Sequence, residues 1–392
     1  MIRAGVFCFY ALLAVALPVS AANGLSVPRG FTIDRIAQID GPRELAALPN
    51  GDLIVGTKGS DVYVLPSAEG RAGLPRVLVH FDDDLAAGVT YVPERSEIVV
   101  ATEHHVYAIP YRGTLNGVTP RRIADVRTGP VAPDNDGDIH NTTSVAFARG
   151  TLYVSAGSSC NATEGNGHKP CIEVDRSRAA VSVVLGNGTL RQRAHRVRNA
   201  IALTVNPQTG SLWIGGAGQD DLPFGHPYEF LDNLSAHGGD ADYGWPECEE
   251  NHHAYWPGAH CSNTIAPLVE LPAYSTIIGA TFYPPRQSGP YAFPASYRGA
   301  LFVTAHGSWH TDGHGCYAAS PQVVSIAMRG DKPAIAVDWS NPARQWSNFV
   351  SGFQTGCHDR AGRPTGIAVG PKGSLFVADD ASGAIYRIRP TR

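Results

Sequence analysis

One sequence pattern recurs six times along this chain: an apolar strand, a turn carrying proline or glycine, and an alternating strand that ends in small residues. The copies span residues 45–55, 88–101, 144–157, 202–216, 279–305 and 366–378. Alternation with period two indicates antiparallel strands. Strand pairs that recur in this way are typical of propeller blades, so the sequence predicts an all-β, six-bladed β-propeller.

A propeller has to hide its first and last edges, and one early strand is placed to do so. Residues 31–36 alternate like a strand and precede the first repeat, so we expect them to complete the final blade. A pair of β-sandwiches would give no reason for sixfold repetition. We therefore expect one propeller domain over residues 22–392.

The beginning of the chain has the pattern of a signal peptide. A basic residue, Arg3, precedes an apolar run over residues 4–18 and a small-residue site at 19–21. The run is too short for a membrane span, and no second one follows it. We expect residues 1–21 to be removed and the mature protein to be secreted or periplasmic.

The cysteine count fits an exported protein. Cys8 would leave with the signal peptide, and six cysteines remain, which allow fifteen disulfide connectivities. Pairing between neighbours is preferred because each couple flanks a loop that leaves a predicted strand. These couples are Cys160 with Cys171, Cys248 with Cys261, and Cys316 with Cys357.

Charge and composition exclude some classes of partner. The formal net charge is −4, which argues against binding to nucleic acid. The chain holds 43 glycines and 29 prolines, as expected for many short strands joined by tight turns. No C-x-x-C-H motif for haem attachment is present.

Polar residues cluster at the strand junctions that lead towards the propeller axis. Four junctions stand out, at residues 138–140, 196–199, 306–310 and 363–364. They would bring His140, Arg198, Asn199 and Arg363 to one axial pocket. An imidazole facing fixed guanidinium groups suits proton abstraction beside an anionic cofactor or substrate, because arginine binds carboxylates in a bidentate manner.

Several short motifs together resemble the sorbosone dehydrogenase family. They lie in order along the mature chain, at residues 155–161, 178–180, 198–199, 242–246, 297–303, 306–309, 362–366 and 377–380. That family is related to soluble quinoprotein glucose dehydrogenases, which are six-bladed propellers that use pyrroloquinoline quinone (PQQ) and calcium. The resemblance implies a dehydrogenase that oxidises a sugar, sugar aldehyde or related alcohol and passes electrons to a separate acceptor.

The resemblance also implies roles for single residues. His140 matches the base that takes a proton from the substrate hydroxyl as hydride passes to the quinone. Arg198 and Asn199 match a pair that holds PQQ, and Arg363 matches another cofactor-binding arginine.

A calcium ion is implied as well. The backbone carbonyls of Gly218 and Gln219 match its ligands, and Asp220 and Asp221 would add negative charge beside it. A second acidic stretch, residues 134–138, lacks the distal glutamate of an EF-hand and is interpreted as a polar turn.

Departures from the family pattern leave two alternatives open. Thr143 stands where relatives usually have arginine, residues 200–202 replace Pro-Val-Gly, residues 310–311 replace Asn-Arg, and residues 86–87 replace Pro-His. One alternative is a propeller that has lost catalysis and binds a glycan or a protein. The other is a calcium-dependent hydrolase of the lactonase kind, which the arginines disfavour because such a site would use Asp, Asn and Glu ligands.

Overall fold

The structure of the chain is a computed structural model. It describes residues 19–20 and 24–391, except residues 116, 132–139, 162–172, 220–224, 250 and 256–257. Most of the predicted signal peptide, the acidic stretch 134–138, Cys171, Asp220 and Asp221 lie outside the described residues. No helix in the described part of the chain is long and apolar enough to cross a membrane.

Two short strands and one long strand precede the first blade: β1 (Val19–Ser20), β2 (Ser26–Val27) and β3 (Phe31–Gln38). The first blade contains β4 (Pro42–Ala47), β5 (Leu53–Thr57), β6 (Asp61–Leu65) and β7 (Arg76–His80). The second contains β8 (Gly88–Val92), β9 (Glu97–Ala101), β10 (His105–Pro110) and β11 (Arg121–Asp125). The third contains β12 (Val145–Ala148), β13 (Thr151–Ala156), β14 (Ala180–Val184) and β15 (Leu190–His195).

The fourth blade and its insertion contain β16 (Ala202–Val205), β17 (Leu212–Gly216), β18 (Glu229–Asp232), β19 (Ala241–Asp242), β20 (Cys248–Glu249), β21 (His253–Ala254) and β22 (Val269–Leu271). The fifth blade and the hairpin inserted in it contain β23 (Ile277–Phe282), β24 (Leu301–Ala305), β25 (Gln322–Ile326), β26 (Met328–Arg329), β27 (Lys332–Pro333) and β28 (Trp346–Val350). The sixth contains β29 (Pro364–Val369), β30 (Leu375–Asp379) and β31 (Ala384–Pro390). Short 3₁₀ helices lie at Pro93–Arg95, Leu234–Ala236, Ala295–Tyr297 and Pro342–Gln345.

These strands form six antiparallel blades around one axis, so the predicted fold class is confirmed. Blades four and five take β22 and β28 as their outer strands, while β19 adds a parallel strand to blade three. Strand β3 pairs with β31 from Phe31 to Gln38 and completes the sixth blade, which confirms the predicted closure of the ring.

The apolar core lies between the blades. Six separate clusters of buried side chains each join two neighbouring blades, because both faces of every sheet are covered by the next sheet. The cluster at the closure is rich in aromatic rings, and Phe31 packs edge-on against Phe293 and Phe349 at 4.7 and 5.2 Å between ring centroids. Closure therefore rests on packing as well as on backbone pairing.

Disulfide bonds cross-link two of the long loops. Cys248 is bonded to Cys261 and Cys316 to Cys357, which confirms these two neighbour pairings. Cys160 is disulfide-bonded as well.

The six innermost strands, β4, β8, β12, β16, β23 and β29, surround an axial channel of about 300 Å³. Glu44 on β4 is the one acidic residue among those that line it. Its carboxyl oxygens accept hydrogen bonds from the Val89 N–H at 3.1 Å and from the Ser144 hydroxyl. Desolvation in the channel raises the pKa of Glu44 to about 8. Glu44 thus joins the first three blades as a neutral acid at neutral pH.

Replacement of Glu44 by glutamine should stabilise the fold, and increasingly so as the pH rises from 5 to 8. In the native wild type Glu44 keeps a proton that it releases in the unfolded chain near its ordinary pKa of 4.5. The free energy of unfolding of the wild type therefore falls as the pH rises through this window, by at most about 1.4 kcal/mol per pH unit. Urea unfolding of both proteins at several pH values measures the difference. A difference that does not change with pH would contradict a protonated Glu44.

Candidate functional site

Polar side chains meet at one end of the propeller. In each antiparallel blade, the loop before the innermost strand and the loop after the second strand lie at the same end. His140 precedes β12, Arg198 and Asn199 precede β16, and Arg363 precedes β29. The segment 306–310 follows β24. The repeat therefore places these residues on a common rim around the axis.

A cavity of about 270 Å³ opens on this rim between blades three, four and five. It is lined by His140, Asn161, Arg198, Asn199, Ala217, Gly218, Glu229, Tyr274, Thr276, Trp309 and His310. Four of the six site residues predicted from sequence thus share one cavity. Arg363 and Gln219 do not line it.

His140 forms one wall of the cavity and is buried. Its Nδ1 lies 3.0 Å from the backbone oxygen and 2.9 Å from the hydroxyl of Ser158. The Ser158 N–H donates to the Arg198 carbonyl at 2.8 Å. A Cβ at Gly157 would lie 2.4 Å from the His140 Cβ and 2.8 Å from the Asn199 Oδ1, so only glycine lets these side chains pack so closely.

Arg198 and Asn199 form the adjoining wall, and both are buried. The Arg198 guanidinium donates to the Asn161 carbonyl at 2.7 Å and to the Asn161 side-chain oxygen. The Asn199 Oδ1 is buried and accepts no hydrogen bond from any described residue. A buried amide oxygen without a donor suits a ligand that carries an N–H or O–H group.

Arg363 lies behind the cavity wall. Its Nε donates to the His306 carbonyl at 3.0 Å and its Nη2 to the Gly307 carbonyl at 2.8 Å. The guanidinium stacks under the Trp309 ring, 4.6 Å from the centroid. Burial lowers the pKa of Arg363 to about 10, so it stays cationic at neutral pH. Trp309 lines the cavity and is 73% exposed, whereas Arg363 does not line the cavity and contacts it through this stack.

An ion network beside Arg363 was not predicted from sequence. Asp380 accepts from His306 Nε2 at 2.8 Å, from Arg43 at 3.0 Å and from Lys58 at 2.6 Å. Burial lowers the pKa of His306 to about 3, so it is a neutral donor and not a base in the cavity. The available sequence signal was Arg43, a charged residue at the start of an innermost strand.

The predicted calcium ligands are only partly brought together. Gly218 lines the cavity, where a Cβ would lie 2.7 Å from Pro227. Gln219 is buried, and its amide donates to the Pro246 carbonyl at 2.9 Å and to the Glu249 carboxylate. Among the described residues, no group of three His, Cys, Asp or Glu side chains could hold a metal ion. Calcium binding through backbone carbonyls stays a prediction.

Comparison with known proteins gives relatives at low sequence identity. The TrAA12-like family model matches residues 248–391. An uncharacterised protein of Borreliella burgdorferi is 20% identical over 378 residues, 93% of this chain and 90% of that protein.

Two solved structures share the fold over nearly the whole chain. The iodide structure of the Trichoderma reesei carbohydrate-active enzyme of family AA12 has a TM-score of 0.72 and 19% identity, covering 98% of this chain and all of that one. The holo form of the PQQ domain of pyranose dehydrogenase from Coprinopsis cinerea has a TM-score of 0.71 and 17% identity, covering 93% and 97%.

Asp380→Asn should destabilise the fold by about 3–5 kcal/mol at pH 7, because it leaves buried Arg43 without its counter-charge. The matched control is Lys58→Met, which removes a half-exposed partner of the same carboxylate and should cost less than about 1 kcal/mol. The network lowers the pKa of Asp380, so its stabilisation is present above the ordinary carboxyl pKa and is lost in acid. Urea unfolding at pH 7 and pH 3 should show the Asp380→Asn deficit narrowing in acid; equal deficits would contradict an ionised Asp380.

Proposed function

We propose that this protein is a PQQ-dependent dehydrogenase that oxidises a hydroxyl or aldehyde group of a sugar or related alcohol. The observation that carries the proposal is the convergence of His140, Arg198 and Asn199 on one cavity at the rim around the propeller axis. Electrons would leave to a separate acceptor. The disulfides Cys248–Cys261 and Cys316–Cys357 support an exported protein, because such bonds persist in oxidising compartments.

The residues present fit a planar anion with several carboxylates. Arg198 supplies a buried cation in the cavity wall, and Arg363 supplies a second behind Trp309. The Asn199 Oδ1 accepts no hydrogen bond within the described chain and would take one from an N–H of the ligand. Guanidinium groups bind carboxylates through charged hydrogen bonds, so Arg198 and Asn199 would hold PQQ, and Arg363 would add positive charge from behind Trp309. When bound, PQQ would supply a carbonyl centre that accepts hydride from the substrate carbon.

The protein's own part in the reaction is proton transfer and positioning. When the substrate carbon gives up hydride, which takes the electron pair of the C–H bond, the proton of the substrate hydroxyl has to pass to a base. His140 lies in the wall of the same cavity. Tyr274 and His310, whose rings are 4.6 Å apart, form the wall towards blade five, where the substrate would be enclosed.

Two comparisons support the proposal. The Coprinopsis cinerea neighbour is by its own description a PQQ domain in holo form, and it covers nearly the same length of chain. A calcium structure of the Trichoderma reesei AA12 enzyme, with a TM-score of 0.73, is consistent with a calcium ion as second cofactor. We propose that the carbonyls of Gly218 and Gln219 hold this ion beside the quinone.

His140→Ala should lower kcat by about 10²–10⁴-fold and leave the affinity for PQQ unchanged, because the base moves a proton but the arginines bind the cofactor. Steady-state kinetics with a sugar and an artificial acceptor measure the first effect, and absorbance titration with PQQ measures the second. Turnover at the wild-type rate would contradict the assignment of the base.

Arg198→Ala should weaken PQQ binding by about 10–100-fold, the loss expected for charged hydrogen bonds. Arg196→Ala is the matched control: Arg196 pairs with Asp242 and Glu247 and does not line the cavity, so its loss should leave PQQ binding unchanged. Equal losses in both variants would show a general effect of positive charge. Absence of PQQ binding by the wild type would favour the non-catalytic propeller.

Thorough chelation of PQQ-loaded protein should release the cofactor and lower the Tm, since a ligand at a hundred times its Kd adds about 2.7 kcal/mol to native stability. Restoring calcium should restore both, and magnesium should restore less, because it demands a more rigid octahedral site. An unchanged Tm and retained cofactor after chelation would overturn the calcium assignment.

A further inference from the structure

We propose that Ser158 is a positioning residue that fixes His140 in the tautomer with the proton on Nδ1, so that Nε2 is the atom that accepts the substrate proton. The inference deepens the proposed function and rests on it for the catalytic consequence. The tautomer itself follows from contacts in the protein alone. Ser158 is fully buried two residues after the end of β13, and its N–H bond to the Arg198 carbonyl holds it between the third and fourth blades.

The contacts between Nδ1 and Ser158 fit one arrangement of hydrogens. The Ser158 hydroxyl has a single hydrogen, and it donates this to the carbonyl of Cys160. Its oxygen is therefore an acceptor towards Nδ1, which lies 2.9 Å away. The Ser158 carbonyl, 3.0 Å from Nδ1, is an acceptor in any case. Both neighbours require a proton on Nδ1.

The opposite tautomer would bring unfavourable contacts. If Nδ1 carried a lone pair, no hydrogen would lie between Nδ1 and the Ser158 carbonyl oxygen. If the Ser158 hydroxyl donated to Nδ1 instead, no hydrogen would lie between its oxygen and the Cys160 carbonyl oxygen. Acceptors held together inside a protein are costly because no water separates them. A neutral imidazole has one N–H, so Nε2 carries the lone pair.

The same contacts set the strength of the base. The Nδ1–H bond to Ser158 strengthens when the ring becomes imidazolium, so it raises the proton affinity of Nε2. Among the described residues, Arg198, Glu229, Tyr274 and His310 are the other charged or titratable groups in the cavity wall. Arg127 and Arg43 also reach the His140 loop, at the Thr142 carbonyl and hydroxyl. These groups are the same in the variants compared below.

The first test needs neither cofactor nor substrate. Nitrogen-15 NMR of the histidine ring in the wild-type protein, above the pKa of His140, with assignment by His140→Gln, should show the Nδ1–H tautomer. The Nε2–H tautomer would overturn the proposal whatever the enzyme's activity.

The second test uses the loaded enzyme. Ser158→Ala should lower kcat by roughly tenfold, less than the about 10⁴-fold loss that follows removal of an orienting carboxylate, because the Ser158 carbonyl remains. It should also move the acid limb of the kcat–pH profile to lower pH. Ser158→Thr, which keeps the hydroxyl, should restore both. The control is Ser159→Ala, since the buried Ser159 hydroxyl bonds Glu173 instead.

A Ser158→Ala profile that matches that of Ser159→Ala in rate and acid limb would overturn the positioning role. If no loaded variant, wild type included, turns over a sugar, the proposed function fails, while the NMR result still decides the tautomer.

Discussion

The pairing of β3 with β31 is the constraint on which the site depends. Each blade packs only against its two neighbours, so the strand that completes the last blade also fixes the distance between the first and the sixth. Phe31 anchors this pairing in an aromatic cluster with Phe293 and Phe349. An open ring would separate Asp380, which follows β30 on blade six, from Arg43 on blade one, and so break the ion pair between them.

Hydrogen bonds between blades then fix the rim that carries the cavity. Glu44 reaches from blade one to Val89 and Ser144, and Glu229 on blade four accepts from the Ile277 N–H of blade five at 2.8 Å. The Thr365 hydroxyl donates to the Pro42 carbonyl at 2.9 Å. Such side-chain bonds to a neighbouring backbone hold the strands at the axis in register, which keeps His140 and Arg198 at a constant separation.

The sequence predicted the architecture because periodicity and repetition are local patterns. Blade strands, the closing strand at 31–36 and two disulfides could be predicted without any contact information. His140, Arg198 and Asn199 were found because they occupy equivalent positions in successive repeats. Arg363 was found in the same way. The direction of its side chain could not be predicted, because hydrogen bonds to the carbonyls of His306 and Gly307 hold its guanidinium behind Trp309.

Other parts of the site depend on contacts that no local pattern contains. Arg43 and Asp380 pair across 337 positions, so neither residue alone signals the network. The bond between Ser158 and His140 depends on the turn after β13, which aims a carbonyl and a hydroxyl at one ring nitrogen. Side-chain direction at Gln219 is set by Pro246 and Glu249 in the insertion of blade four.

The central claim is that an anionic quinone binds on the axial rim, in the cavity that His140, Arg198 and Asn199 line. A crystal structure of the protein with PQQ tests it most directly. We expect the carboxylates of PQQ to accept hydrogen bonds from Arg198 and the side-chain amide of Asn199 to contact PQQ. The quinone carbonyls should face the Nε2 atom of His140. Density for PQQ elsewhere on the surface, or a cavity that excludes it at saturating concentration, would contradict the account.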